Sequence, residues 1–154
     1  MTRRSMLRLI VSRRRRALPS GAVAFWRGPG LPALLFLATG TAHFVIPDFF
    51  VGIVPPGLPN PAALVLVSGG AEILGGLGML WRRSRRAAGV GLVALLIAVF
   101  PANVQMLLMA RAGDVPAWTE LLLWLRLPFQ AVIIAWVWLV TRPARPEAAQ
   151  GRNA

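Results

Sequence analysis

The sequence predicts an all-α membrane protein: a four-transmembrane-helix bundle, N-in/C-in, with a Pro-rich outer loop between helices 1 and 2. Three observations carry that reading. Apolar residues make up 56% of the 154 and collect in four long runs. All 17 basic residues are arginines, and most of them stand between the runs. Tryptophans mark the edges, with Trp26 and Trp81 at the expected inner boundary, Trp118 and Trp124 at the outer one, and Trp136 and Trp138 near the last inner one. Long apolar runs separated by blocks of like charge are the pattern of a chain dissolved in lipid.

The elements follow in order. Residues 1–28 form an Arg-rich cytoplasmic arm with eight arginines, including the run Arg13 to Arg16. The membrane domain is expected over residues 29–140, with spans at about 29–47, 61–80, 87–109 and 120–140. At ~1.5 Å per residue each run is long enough for a ~30 Å hydrocarbon core, and a backbone in lipid meets its own hydrogen-bonding needs as helix. No small-residue cleavage site follows the first run, so it reads as a retained helix rather than a removed signal. Residues 141–154 read as a disordered cytoplasmic tail.

Arginine placement sets the orientation. Eight precede the first run, four lie in the segment Trp81–Arg86 and three follow Val140, whereas residues 48–60 have none and residues 110–119 have only Arg111. The positive-inside rule then places both termini and the 81–86 loop in the cytoplasm. The loop after the first span, PDFFVGIVPPGLPNP, holds five prolines and two glycines and excludes a long helix. Its Phe49, Phe50, Val51, Ile53 and Val54 are too apolar for a free loop, so a short segment folded over the outer mouth of the bundle is expected.

Polar residues inside the spans are the candidate site, because a charged group at mid-span costs roughly 2.5–3.5 kcal/mol on insertion scales. They are His43, Glu72, Asn103, Arg126 and Gln130, with Thr39, Ser68 and Gln105 as secondary members. By helical rise, His43 lies ~6 Å, Asn103 and Arg126 ~9 Å and Glu72 ~16 Å below the outer ends of their runs. All four helices thus bring polar groups to the outer half, and the inner half is almost wholly apolar. Thr39 and His43, Ser68 and Glu72, and Arg126 and Gln130 are each four apart and share a face. Gln105 stands two residues from Asn103 and faces elsewhere unless Pro101 kinks the helix. A Glu72–Arg126 ion pair is the most economical pairing, either as a clamp on the bundle or as part of a ligand pocket. Gly69, Gly70, Gly75 and Gly76 in the second span are expected to serve close helix packing.

Several chemistries are excluded or disfavoured. Without cysteine there is no disulfide, thiolate metal site or dithiol chemistry, and with one histidine no bis-histidine haem forms within the chain. No metal site is expected. The net charge of +12 is explained by topology rather than nucleic-acid binding. No self-contained catalytic motif is present, and whether the chain is part of an enzyme stays open.

The motifs Gly40-Thr-Ala-His43-Phe44 with Pro47, Ile53-Val54-Pro55-Pro56 with Leu58-Pro59, Ser68-Gly69-Gly70-Ala71-Glu72 with Gly75-Gly76, Phe100-Pro101-Ala102-Asn103 with Met106, and Arg126-Leu127-Pro128 with Gln130 are similar to those of the DoxX-like family of small bacterial membrane proteins. The likeness runs from about residue 31 to 140. It implies a four-helix fold in the bacterial cytoplasmic (inner) membrane. It also implies, by the family's link to a thiosulfate:quinone oxidoreductase, a membrane subunit that binds a quinone or similar small ligand beside a redox-enzyme partner or in a homo-oligomer. The alternatives are a structural or assembly protein whose polar cluster only stabilises the bundle, and a small-solute transporter.

Overall fold

The computed structural model describes residues 28–142, and every regular element among them is a helix. The arginine-rich arm up to residue 27, Trp26 and the tail from residue 143 lie outside the described residues. The helices are α1 (Gly30–Val45), α2 (Pro47–Gly52), α3 (Pro61–Leu80), α4 (Arg85–Ala112) and α5 (Ala117–Thr141). Three of them, α3, α4 and α5, are long and apolar enough to cross a membrane, and α1 is a shorter apolar helix. At ~1.5 Å per residue, the 16 residues of α1 reach ~24 Å.

Local chemistry sets the boundaries. Pro47 drives Ile46 out of the helical region, to φ −130° and ψ 58°, which ends α1. Pro47 then opens α2 at a position where its missing N–H costs nothing. Asn60 caps α3: its side chain accepts from the Ala63 N–H at 3.3 Å, and its φ of 48° is a left-handed conformation that asparagine tolerates. At the far end of α3, Ser84 Oγ donates to the Gly78 carbonyl and Arg85 Nε to the Met79 carbonyl, both at 2.9 Å. These side chains satisfy carbonyls that the helix end leaves bare. Helix α4 starts two residues before the apolar run at 87 and ends three after it at Ala112.

The helices pack as two hairpins side by side: α1 on α3, α4 on α5, with α3 against α4 joining them. Glycines make the close crossings. A Cβ on Gly40 would stand 2.8 Å from the Gly69 carbonyl, and one on Gly69 would stand 2.6 Å from the His43 Cβ, so the α1 and α3 backbones touch there. One helical repeat along, a Cβ on Gly76 would sit 2.9 Å from the Ala33 carbonyl. Gly75 faces Leu92 and Gly78 faces Ala88 on α4. Gly70 departs from the expected packing role, since nothing lies within 4 Å of its Cβ position. It is one residue, or about 100°, around the helix from Gly69 and points away from both neighbours.

Two apolar clusters hold the bundle. Ala33, Phe36, Met79, Leu92 and Val137 unite four helices at the end where α3 stops and α4 starts. Leu107, Ala110 and Leu123 join α4 to α5 at the opposite end, where Arg111 also meets Glu120 at 3.4 Å. Leu66, Val67, Leu74, Ile97, Leu121, Leu125, Phe129 and Val132 are exposed large apolar side chains, the outward surface that suits hydrocarbon rather than water.

Candidate functional site

Between the two hairpins, on the side of the four-helix apolar cluster where α1 ends and α3 begins, lies a cavity of about 620 Å³. Thr39 and His43 of α1, Phe50 of α2, Ser68 and Glu72 of α3, Asn103 of α4 and Arg126 and Gln130 of α5 all line it. Seven of the eight polar residues singled out from the sequence are therefore brought to one space. The eighth, Gln105, is half-buried and does not line it. Most of the remaining wall is apolar, including Leu35, Phe36, Leu95, Val99, Phe129 and Ile133.

The α1/α3 wall is built on the Gly40–Gly69 crossing. Glu72 packs its Cβ against Gly40, and His43 packs its Cβ against Gly69, so each acidic or basic group stands on the other helix's glycine. Both are only 8% exposed. The Thr39 hydroxyl donates to Glu72 Oε2 across the helix pair. His43 Nδ1 lies 2.9 Å from the Thr39 carbonyl, and since a carbonyl only accepts, this nitrogen carries the proton. The imidazole stacks on Phe50 with centroids 3.8 Å apart and planes 17° from parallel. Phe49 meets Phe50 edge-on.

The α4/α5 wall is a relay of side chains. Arg126 Nε donates to Asn103 Oδ1 at 3.0 Å, and Asn103 Nδ2 donates to Gln130 Oε1 at 2.7 Å. Gln130 Nε2 in turn donates to the backbone carbonyl of Leu96. The Leu96 carbonyl lies next to that of Ile97, the carbonyl that Pro101 leaves without a helical N–H partner. Gln130, 5% exposed, thus supports α4 at the weakened turn.

The expected Glu72–Arg126 ion pair is not formed. Among the described residues the one ion pair joins Arg111 to Glu120. Depth along the helices had allowed the pairing, but α3 and α5 sit on different hairpins, and each charged group turns to a neighbour within its own hairpin. Glu72 takes Thr39, and Arg126 takes Asn103. No group of three or more histidine, cysteine or acidic side chains among the described residues could hold a metal ion.

Sequence reasoning missed two contributors as site residues. Phe50 stacks on the histidine, and its signal was the unusually apolar character of the loop after Pro47. The Leu96 carbonyl is a backbone group with no signature of its own, though Pro101 pointed to a disturbed turn near it.

Fold and site together define an all-helical protein with three helices able to cross a bilayer, a fourth shorter apolar helix, and a polar-lined cavity among them. Residues 32–141 match the family described as a domain of unknown function (DUF8561), and the chain belongs to that family. No curated protein matches the chain, and no solved structure does.

Proposed function

We propose that this chain crosses the bacterial cytoplasmic membrane four times, with both termini inside, and that its cavity binds a small, largely apolar ligand. A lipid-soluble quinone is the class the resemblance to the DoxX-like family implies, and the protein then acts as a membrane subunit beside a redox-enzyme partner. The observation that carries the ligand reading is the convergence of seven polar side chains from all four apolar helices on one otherwise apolar cavity. Small-molecule sites have this composition: apolar walls with a few polar groups that fix orientation.

The topology draws on charge. Arg82, Arg83, Arg85 and Arg86 precede or open α4, at the end where α5 finishes beside Arg142, whereas the opposite end carries Arg111, which Glu120 neutralises. Under that orientation the cavity lies in the outer half. The ~24 Å of α1 falls short of a ~30 Å core, and the segment Ile46–Gly52 folding over its end, with local bilayer thinning, accommodates the difference.

Extraction in mild detergent tests the ligand reading. The full chain should co-purify with quinone and melt at a higher temperature when a short-tailed quinone is added. Preparations free of quinone, with no shift at saturating ligand, would contradict it.

A structural role is the second reading, favoured by the Asn103–Gln130–Leu96 relay that ties α5 to α4. The variant Gln130→Leu, which cuts that relay and leaves His43, Glu72 and Arg126 in place, separates the two. A clamp role alone predicts lost accumulation with no quinone response in either protein, and a ligand role predicts that the unaltered protein responds to quinone. Transport by a single copy is less well supported, because Met79, Leu92 and Val137 close the other half without a polar side chain.

A further inference from the structure

The two walls of the cavity differ in the kind of hydrogen bond they have left to offer. On the α1/α3 wall the hydroxyl protons are already used: Thr39 donates to Glu72, and Ser68 Oγ donates to the Val65 carbonyl at 2.9 Å. The proton on His43 Nδ1 is used on the Thr39 carbonyl. In a ring that carries only that proton Nε2 keeps a lone pair, and this nitrogen has no protein partner among the described residues and is not occluded. The second carboxylate oxygen of Glu72 is likewise an acceptor. Every polar group this wall has spare is an acceptor.

The α4/α5 wall is the reverse. Along the relay from Arg126 to Asn103 to Gln130 to Leu96 the donors and acceptors are matched, and both amide orientations follow from it. What remains in excess is N–H. The two terminal guanidinium nitrogens of Arg126 have no partner among the described residues, and no carboxylate lies within 4.0 Å of them. Arg126, exposed at the rim of the cavity, stands beside exposed Leu122, Leu125 and Phe129, an apolar setting in which unpaired charge-bearing donors are costly and seek an oxygen.

We propose that the cavity is polarised and selects an amphiphile that presents a hydroxyl to His43 and Glu72 and an acceptor oxygen to Arg126, so that it prefers the dihydroxy form of a lipid-soluble ring to the corresponding dione. This rests on the reading of the cavity as a ligand site and adds which redox form fits. A ring diol donates one hydroxyl proton to the acceptor wall; its opposite oxygen accepts from the guanidinium, and that hydroxyl's proton turns to the second lone pair of Asn103 Oδ1. A dione has acceptors at both ends. It satisfies Arg126 but turns carbonyl lone pairs toward the imidazole nitrogen and the carboxylate. One unmade hydrogen bond, with the desolvated acceptors left unpaired, weakens binding about tenfold or more.

The test is anaerobic titration of the full chain in lipid nanodiscs with a short-tailed ring diol, the same diol methylated on both oxygens, and the dione. The expected order is diol tighter than dione by about tenfold or more, with the dimethyl ether no better than the dione. His43→Phe keeps a ring to stack on Phe50 while removing the Nε2 acceptor, and should narrow the diol-to-dione ratio. Dione binding as tight as or tighter than diol binding overturns the polarity assignment and leaves the ligand site standing. Binding of none of the three contradicts the ligand-site reading and this inference with it. The comparison among ligands uses the unaltered protein, so it holds whatever the folding of the variant.

Discussion

At the residue scale, the site depends on two glycines as much as on its polar groups. Gly40 and Gly69 let two backbones meet, and that contact brings Glu72 and His43 to the same wall. Gly69→Ala should therefore lower thermal stability by about 1–3 kcal/mol, since its Cβ would overlap that of His43 and neither backbone can retreat freely. Gly70→Ala, with open space at its Cβ, should be close to neutral or slightly stabilising. Equal melting temperatures for the two variants would contradict the crossing. Asn103→Leu removes the middle of the α4/α5 relay and leaves both Arg126 Nε and Gln130 Oε1 without their partner; a loss of about 1–3 kcal/mol is expected in the same melting assay. The polar residues of this cavity stood out in the sequence because charge and amide groups are rare in apolar runs. Their partners did not. Helical depth places Glu72 and Arg126 about 7 Å apart, within reach of two long side chains, but carries no information on which hairpin each belongs to, so the ion pair it suggested gave way to Thr39–Glu72 and Arg126–Asn103.

At the scale of elements, the short helix α2 is the part that turns a groove into a cavity. Its Phe50 covers His43 by stacking, and Ile53, Val54, Pro55 and Leu58 beyond it continue the lining. Phe50→Ala should lose about 0.5–1.5 kcal/mol from the ring contact alone, beyond the lost apolar burial. It should also open the cavity to solvent. The readout is a lower melting temperature together with faster hydrogen exchange of backbone amides around His43. An unchanged exchange pattern would mean that α2 does not cover the site. The apolar runs at 61–80 and after Arg85 were legible as helices from length and hydropathy alone. That residues 47–52 would form a helical turn was not, because the five prolines across residues 47–61 argue against helix. One of them, Pro47, sits at the first helical position, where proline fits. Pro101 and Pro128 likewise lie inside long helices without ending them. Gln130 braces the turn before the first by reaching the carbonyl of Leu96.

For the whole molecule, the proposal of four crossings with both ends inside makes a clean prediction, because the chain has no native cysteine. Single cysteines at Ser84 and at Gly57 should react from opposite sides of intact cells with a membrane-impermeant thiol reagent: Gly57→Cys from outside, Ser84→Cys only after permeabilisation. Labelling of both from one side would overturn the arrangement. The same whole-molecule view unites topology with chemistry. An apolar cluster closes one half of the bundle, a polar-lined cavity of about 620 Å³ occupies the other, and the outer surface is apolar. The most direct test of the central claim, that this cavity holds a small membrane-dissolved molecule, is native mass spectrometry of the full chain released from nanodiscs loaded with quinone and quinol. One bound molecule per chain is expected for the natural sequence, and clearly reduced retention for Ala102→Phe, in which a ring projects from the cavity wall and narrows it. No bound molecule in the natural protein, or equal retention by the narrowed variant, would contradict the claim.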